Sequence, residues 1–454
     1  MAIYTNRVLN LKHIKVIGFD MDHTLVRYNT ELFEELTFYE SIKKLIKDRG
    51  YPKEIKELEF DFSKAVRGLI VDKDNGNILK VSLYNKIKNA FHGTRKLNYK
   101  FVKKLYGGTS VDLRDSEYVS VDTAFSIAYT VLYMNLVDLR DQYPDQYPSY
   151  RDIADDISYA VDLAHRDGTL KDVVRKNLQK YVKVDPETVE ALERFKSYGK
   201  RLWVITNSDF QYTKALLDFT INPYLKQHSS WDELFEITIT LAMKPRFFND
   251  KMPLLKVDLK DGTLQNYDKK IVPGVFQGGN AVKVQNDLQL NGDQILYFGD
   301  HIYGDVVKLK KACEWRTAMV VEDLDFEIDA YKKSKKLSKS IDNLMKEKIG
   351  KESEIDELYA QEFEFDKKVD KEVLKQKFSE IEKLDKEIGK LLGRYEKLFN
   401  PSWGEVMRAG IEPSFFASQI ERYACIYMSK ISLLNDYSPR HYFRPKKRKM
   451  AHEL

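Results

Sequence analysis

Four short apolar runs constrain this chain most, because each ends on a residue able to do chemistry. Residues 15–19 (KVIGF) lead into Asp20, 201–205 (RLWVI) into Thr206, 294–298 (QILYF) into Gly299 and Asp300, and 316–321 (RTAMVV) into Glu322. All are short and rich in β-branched or aromatic residues, as strands buried on both faces are. Helical patterns lie beside the later ones, PETVEALERFKSYGK at 186–200 and DVVKLKKACEW at 305–315. Strand–helix alternation predicts a parallel, doubly wound sheet, with ligands at the carboxyl ends of its strands. That is where the acids and the threonine lie.

About 180 residues separate the first run from the second. That is too long for a connection, so a cap domain is expected over the strand ends. The expected organisation is a core of residues 1–30 and 185–330, a mostly helical cap at 31–184, a charged helical extension at 331–400, a C-terminal helical segment at 401–443 and a basic tail at 444–454. In the extension Lys and Glu dominate, and Leu374, Ile381, Leu384, Ile388, Leu391, Tyr395 and Leu398 recur at heptad-like steps. It reads either as a solvated hairpin packed on the core or as an oligomer contact. The tail FRPKKRKM reads as a solubilising end, a polyanion contact or a targeting signal. With 75 basic and 70 acidic residues the charge is nearly balanced, which gives no general argument for nucleic acid. Two cysteines exclude a disulfide scaffold, and no run approaches the roughly 20 apolar residues of a membrane helix. A soluble, cytoplasmic protein is expected.

Asp20 and Asp22 stand two apart at a strand end, so both carboxylates can lean toward one point. Like charges that close push their proton affinities apart, which suits a nucleophile beside a general acid. Thr206, Asn207 and Ser208, directly after the second strand, offer hydroxyl, amide and backbone donors to phosphate oxygens. Lys244, in AMKPRFF after the apolar run FEITITLA, is a point charge for a phosphoryl group. Asp300 and Asp305, in YFGDHIYGDV, are hard oxygen donors suited to Mg²⁺.

The order DxDxT, apolar-T[NS], Lys, GDxxxxD resembles the haloacid dehalogenase (HAD) superfamily, which implies a Rossmann-like α/β core. More closely, the chain resembles the cytosolic purine 5′-nucleotidases that prefer IMP and GMP. Those have DMDYTL where this chain has DMDHTL, share TNSD and GDHI[FY]GD, and match AVDLAHRDGTLK at 160–171 and FASQIERYACIY at 416–427. The resemblance implies Asp20 as nucleophile and Asp22 as general acid and base. It places Mg²⁺ among the Asp20 carboxylate, the Asp22 backbone carbonyl, Asp300 and the phosphate, with Asp305 supporting. It gives Thr206 and Lys244 to the phosphoryl group, with Asn207 and Ser208 nearby. Phe125, Asp162, His165 and Lys171 match positions that hold the purine, while an arginine of that pocket appears as Ser158. A second nucleotide site, for an ATP-like activator, is implied at Arg114, Asp115, Tyr303, Lys311, Gln419, Arg422 and Tyr423. An asparagine of that site appears as Asp122. A homo-oligomer, dimer or tetramer, is also implied.

The resulting expectation is a Mg²⁺-dependent purine 5′-nucleotidase, with phosphotransfer to nucleosides from the same intermediate as an added activity. The alternatives are a HAD phosphatase for another phosphomonoester and a nucleotide-binding regulatory protein without turnover. No membrane and no specific nucleic acid are expected as partners.

Overall fold

The four apolar runs fold as adjacent strands of one sheet. The structure is a computed structural model and describes residues 2–107, 111–113, 115–447 and 450–453. Its ten-stranded central sheet has seven parallel strands: β1 (Val16–Phe19), β2 (Arg201–Ile205), β3 (Ile237–Thr240), β4 (Gly274–Gly278), β5 (Ile295–Gly299), β6 (Arg316–Val320) and β7 (Ile426–Met428). Their spatial order is β7-β6-β5-β1-β2-β3-β4. Short antiparallel strands close both edges, Tyr4–Thr5 beside β7 and Leu254–Val257 then Leu264–Asn266 beside β4.

Alternation along the strands explains the core. Ile17, Phe19, Leu202, Val204, Leu296 and Phe298 enter one apolar cluster, and Val16, Trp203, Ile205, Ile295 and Tyr297 enter another. A strand that feeds a core on each face must be apolar along its length, as 16–19, 202–205 and 295–298 are. Gly18 is the exception, because a Cβ there would meet Tyr297 Cδ2 at 2.9 Å. The register sets the site. Phe19 pairs with Val204 on one side and Phe298 on the other. Asp20, Thr206 and Asp300 therefore leave the sheet at the same edge.

The insertion between β1 and β2 holds far more helix than strand, but it is not helical alone. It contains α1 (Thr30–Arg49), α2 (Ile127–Gln142) and α3 (Tyr150–Arg166), but also a five-stranded antiparallel sheet. That sheet runs Arg95–Lys96, Ile87–His92, Asn77–Val81, Leu69–Asp72, Tyr118–Val121. The turn Asn75-Gly76 makes its central hairpin: Gly76 has φ +68°, and Asp72 Oδ1 accepts the N–H groups of Asp74 and Asn75 at 3.1 Å each.

The chain divides into two compact units, residues 1–324 with 407–454, and 325–406. The second is a helical hairpin. Its helices are α4 (Leu324–Phe365), which begins before residue 331, and α5 (Lys371–Glu396). Lys348 pairs with Asp385 and Lys351 with Glu380, both at 2.6 Å, and Lys377 with Glu354, a register that runs the helices antiparallel. Leu384 and Ile388 of the heptad stripe are buried. The segment after it carries one α-helix, α6 (Phe415–Tyr423), and then β7, so it completes the central sheet instead of being helical throughout.

Candidate active site

Asp20 emerges directly from β1, its backbone N–H donating to Phe298 O at 2.8 Å. Its Oδ1 lies 2.8 Å from Lys244 Nζ, which pairs equally with Asp305 Oδ1 at 2.8 Å and bonds the Tyr297 hydroxyl at 3.0 Å. Tyr297 in turn donates to Ile205 O at 2.8 Å, tying the lysine to the floor of the sheet. Burial pushes the Asp20 carboxyl well above the usual carboxylate range; Lys244 opposes this, and Asp305, Asp300 and Asp22 add to it. Burial would lower the Lys244 ammonium, but Asp20 and Asp305 outweigh it and hold it well above its ordinary value.

Carboxylate oxygens of Asp20, Asp300 and Asp305 lie within 4.8 Å of one another. Burial raises Asp300 to about 6, against the pull of His23. Three hard oxygen donors crowded together, with one lysine as counter-charge, fit a divalent cation such as Mg²⁺.

Asp22 is held from both sides. Tyr28 donates to its Oδ1 at 2.5 Å and Ser208 to its Oδ2 at 2.9 Å. The Tyr28 hydroxyl also meets that of Tyr212 at 3.0 Å. Thr206 is fully buried, and its Oγ1 accepts the Ser208 N–H at 3.0 Å. Asn207 uses its amide on the Lys244 backbone, accepting N–H at 2.6 Å and donating to the carbonyl at 3.1 Å. It acts here as a clamp for the lysine. That loop needs one, since Leu241 and Met243 both adopt positive φ, 41° and 57°.

Above these groups opens a cavity of about 940 Å³. Asp20, Asp22, Asn207, Ser208 and Asp300 line it, and so do Phe125, Asp162, His165 and Lys171. Ser158 lies in the same wall. Phe125 and His165 meet edge to face, centroids 5.2 Å apart. Burial, and then the Lys171 charge, lowers His165 to about 4, so its ring is neutral at ordinary pH. Lys171 pairs with Asp209 at 2.9 Å, and Asp162 with Arg166 at 3.1 Å in the open.

Of the second nucleotide site, Lys311 and Arg422 lie 5.8 and 5.4 Å from the Tyr423 ring centre, and Lys308 lies 5.0 Å from that of Tyr303. Asp115, Tyr303, Lys311, Gln419, Arg422 and Tyr423 do not line the cavity, and Arg114 falls outside the described residues.

Sequence reasoning missed the groups that hold the site from behind: Tyr28, Tyr212, Tyr297 and the His23–Glu322 pair at 3.3 Å. Glu322 also accepts from Thr30 at 3.2 Å. Burial would raise the Glu322 carboxyl, but the His23 hydrogen bond and the charges of His23, Arg67 and Arg27 hold it at about 2. The place of Glu322 at the end of the fourth apolar run was the available signal.

Two neighbouring acids, a strand-end threonine, a buried lysine and paired aspartates at one sheet edge fit a phosphoric monoester hydrolase. The family described as "5′ nucleotidase family" matches residues 3–454, and the chain belongs to it. A 5′-nucleotidase domain-containing protein of Dictyostelium discoideum is 27% identical over 465 residues, covering 100% of this chain and 75% of the relative. Two solved structures are also similar. A HAD-superfamily hydrolase, subfamily IA, variant 1, from Geobacter sulfurreducens PCA is 13% identical, with TM-score 0.28 over 68% of this chain and 89% of its own. CbbY from Rhodobacter sphaeroides in complex with phosphate is 13% identical, with TM-score 0.23 over 68% and 86%.

Proposed function

We propose that this chain hydrolyses purine nucleoside 5′-monophosphates, IMP and GMP, to nucleoside and phosphate. The observation that carries the reading is that Phe125, Asp162, His165 and Lys171 share one cavity with Asp20 and Asp22. An Asp20 oxygen attacks phosphorus, the bond to the nucleoside oxygen breaks, and Asp22 gives that oxygen its proton. Water then attacks the aspartyl-phosphate, Asp22 takes its proton, and phosphate leaves with Asp20 restored. Lys244 and the donors at Thr206–Ser208 balance charge on the equatorial oxygens. Asp20, Asp300, Asp305 and the Asp22 carbonyl would hold Mg²⁺, which when bound neutralises phosphate charge. Phe125 offers a face to the base, and His165, Asp162 and Lys171 offer polar contacts around it.

The test is phosphate release from IMP, GMP, AMP, CMP and ribose 5-phosphate, with and without Mg²⁺. Mg²⁺-dependent release favouring IMP and GMP is expected. Equal release from ribose 5-phosphate would keep the phosphatase and remove the base reading; no release beside tight nucleotide binding would point to a regulatory protein. Adding inosine and following nucleotide synthesis tests phosphotransfer, and adding ATP tests an activator site around Lys311, Arg422 and Tyr423. Cytoplasmic location belongs to the same proposal. What supports it is that no helix of the described residues is long and apolar enough to cross a membrane, and that Cys313 and Cys425 are free.

A further inference from the structure

Glu34, on α1, is fully buried, yet none of the chemistry above uses it. Its Oε2 accepts the backbone N–H of Ala128 at 2.7 Å, while its Oε1 has no hydrogen-bond partner. A buried carboxyl with an unmet oxygen is costly, so its presence calls for an explanation.

Ala128 lies in the first turn of α2. The first N–H groups of a helix have no partner within it and ordinarily rely on a side chain at the N-cap. Here the N-cap is Ser126, which sits in helical backbone geometry and makes no side-chain cap bond. Its hydroxyl is 3.0 Å from that of Thr123 instead. The cap of α2 is therefore supplied in trans by Glu34.

The start of α2 matters because Phe125, two residues before Ile127, stands on the wall of the cavity. The Phe125 ring is packed among Phe33 at 5.3 Å, His165 at 5.2 Å and His23 at 4.5 Å. Phe33, the neighbour of Glu34 in sequence, lines the same cavity. One carboxyl thus fixes two adjoining pieces of that wall, its own turn of α1 and the entry to α2.

We propose that Glu34 is a positioning residue for base recognition: by capping α2 from α1 it fixes the ring of Phe125 against the nucleotide base. This rests on the reading of Phe125 as a base contact. Burial raises the Glu34 carboxyl to about 8, so it carries a proton at neutral pH and acts through a carbonyl-like oxygen, which a glutamine reproduces.

The experiment compares wild type, Glu34→Gln and Glu34→Leu in the full chain, with IMP and with ribose 5-phosphate, which has no base. Glu34→Leu is expected to lower kcat/KM for IMP by about tenfold or more, mainly through KM, with ribose 5-phosphate changed less than about twofold. Glu34→Gln is expected to stay near wild type on both. Where Glu34→Leu fails to fold, Glu34→Asp, one methylene short of Ala128, should show the same IMP-selective loss. An equal fall on both substrates, or no fall on either, would overturn the role of Glu34 and leave the purine reading intact. A wild type that does not distinguish IMP from ribose 5-phosphate would remove the purine reading and this proposal with it.

Discussion

Asp20 is the proposed nucleophile, and its position and environment both support that reading. It leaves β1 where Lys244 compensates its charge and Asp22 stands beside it. Asp20→Asn keeps the shape and removes the nucleophile, so phosphate release is expected to fall by at least about a thousandfold. A far-ultraviolet circular dichroism spectrum unchanged from wild type would assign that loss to chemistry. Glu34 makes a second prediction at this scale. Its folded value of about 8 lies above the ordinary 4.5, so the native state binds the proton more tightly than the unfolded chain. Its contribution is greatest below about pH 4.5 and declines as pH rises to about 8, then stays level. Charges near it include His23. Urea titrations at pH 5 and pH 8 should therefore show Glu34→Gln losing less stability than wild type between the two; a parallel loss would contradict this.

The elements that carry the site were chosen by local signals of unequal strength. Strands β1, β2 and β5 are apolar at almost every position because each feeds a core on both faces. The hairpin around Gly76 had an equally good signal, Asn-Gly between strands of β-forming residues, which the helical reading of the cap passed over. Gly76→Ala puts a Cβ about 3.0 Å from the rings of His92 and Tyr150 at φ +68°. A loss of about 1–3 kcal/mol is expected, measurable by thermal or urea unfolding. The hairpin α4–α5 shows the opposite case. Its Lys/Glu-rich pattern announced helices, and Leu384 and Ile388 of the stripe are buried as heptad positions are, while the register of the two helices shows only in the cross-helix pairs.

At the scale of the whole molecule, the site exists because loops from four strand ends meet over one cavity with a cap wall. Asp20, Asp300 and Asp305 come from two segments about 280 residues apart and reach within 4.8 Å of one another. Cation binding should therefore stabilise the fold that assembles them. Saturating Mg²⁺ is expected to raise the melting temperature by several degrees, since a hundredfold excess over Kd is worth about 2.7 kcal/mol. Asp300→Asn should abolish most of that rise, and an equal rise in the variant would place the cation elsewhere.

The sequence by itself determined the parallel sheet, the strand ends and which acids, hydroxyl and lysine stand there. These follow from rules of short range: a strand buried on both faces must be apolar, and phosphoryl transfer needs carboxylates, a hydroxyl and a lysine where it stops. The sequence also placed Phe125, Asp162, His165 and Lys171 by resemblance, and they do face the cavity. Only the tertiary structure decided what holds these groups in place. Tyr212 on Tyr28, Tyr297 and Asn207 on Lys244, Glu322 on His23 and Glu34 on α2 are contacts between segments distant in the chain or through backbone atoms. A hydrogen bond across 94 residues leaves no period or spacing behind, because it depends on where two elements pack and not on the residues beside them.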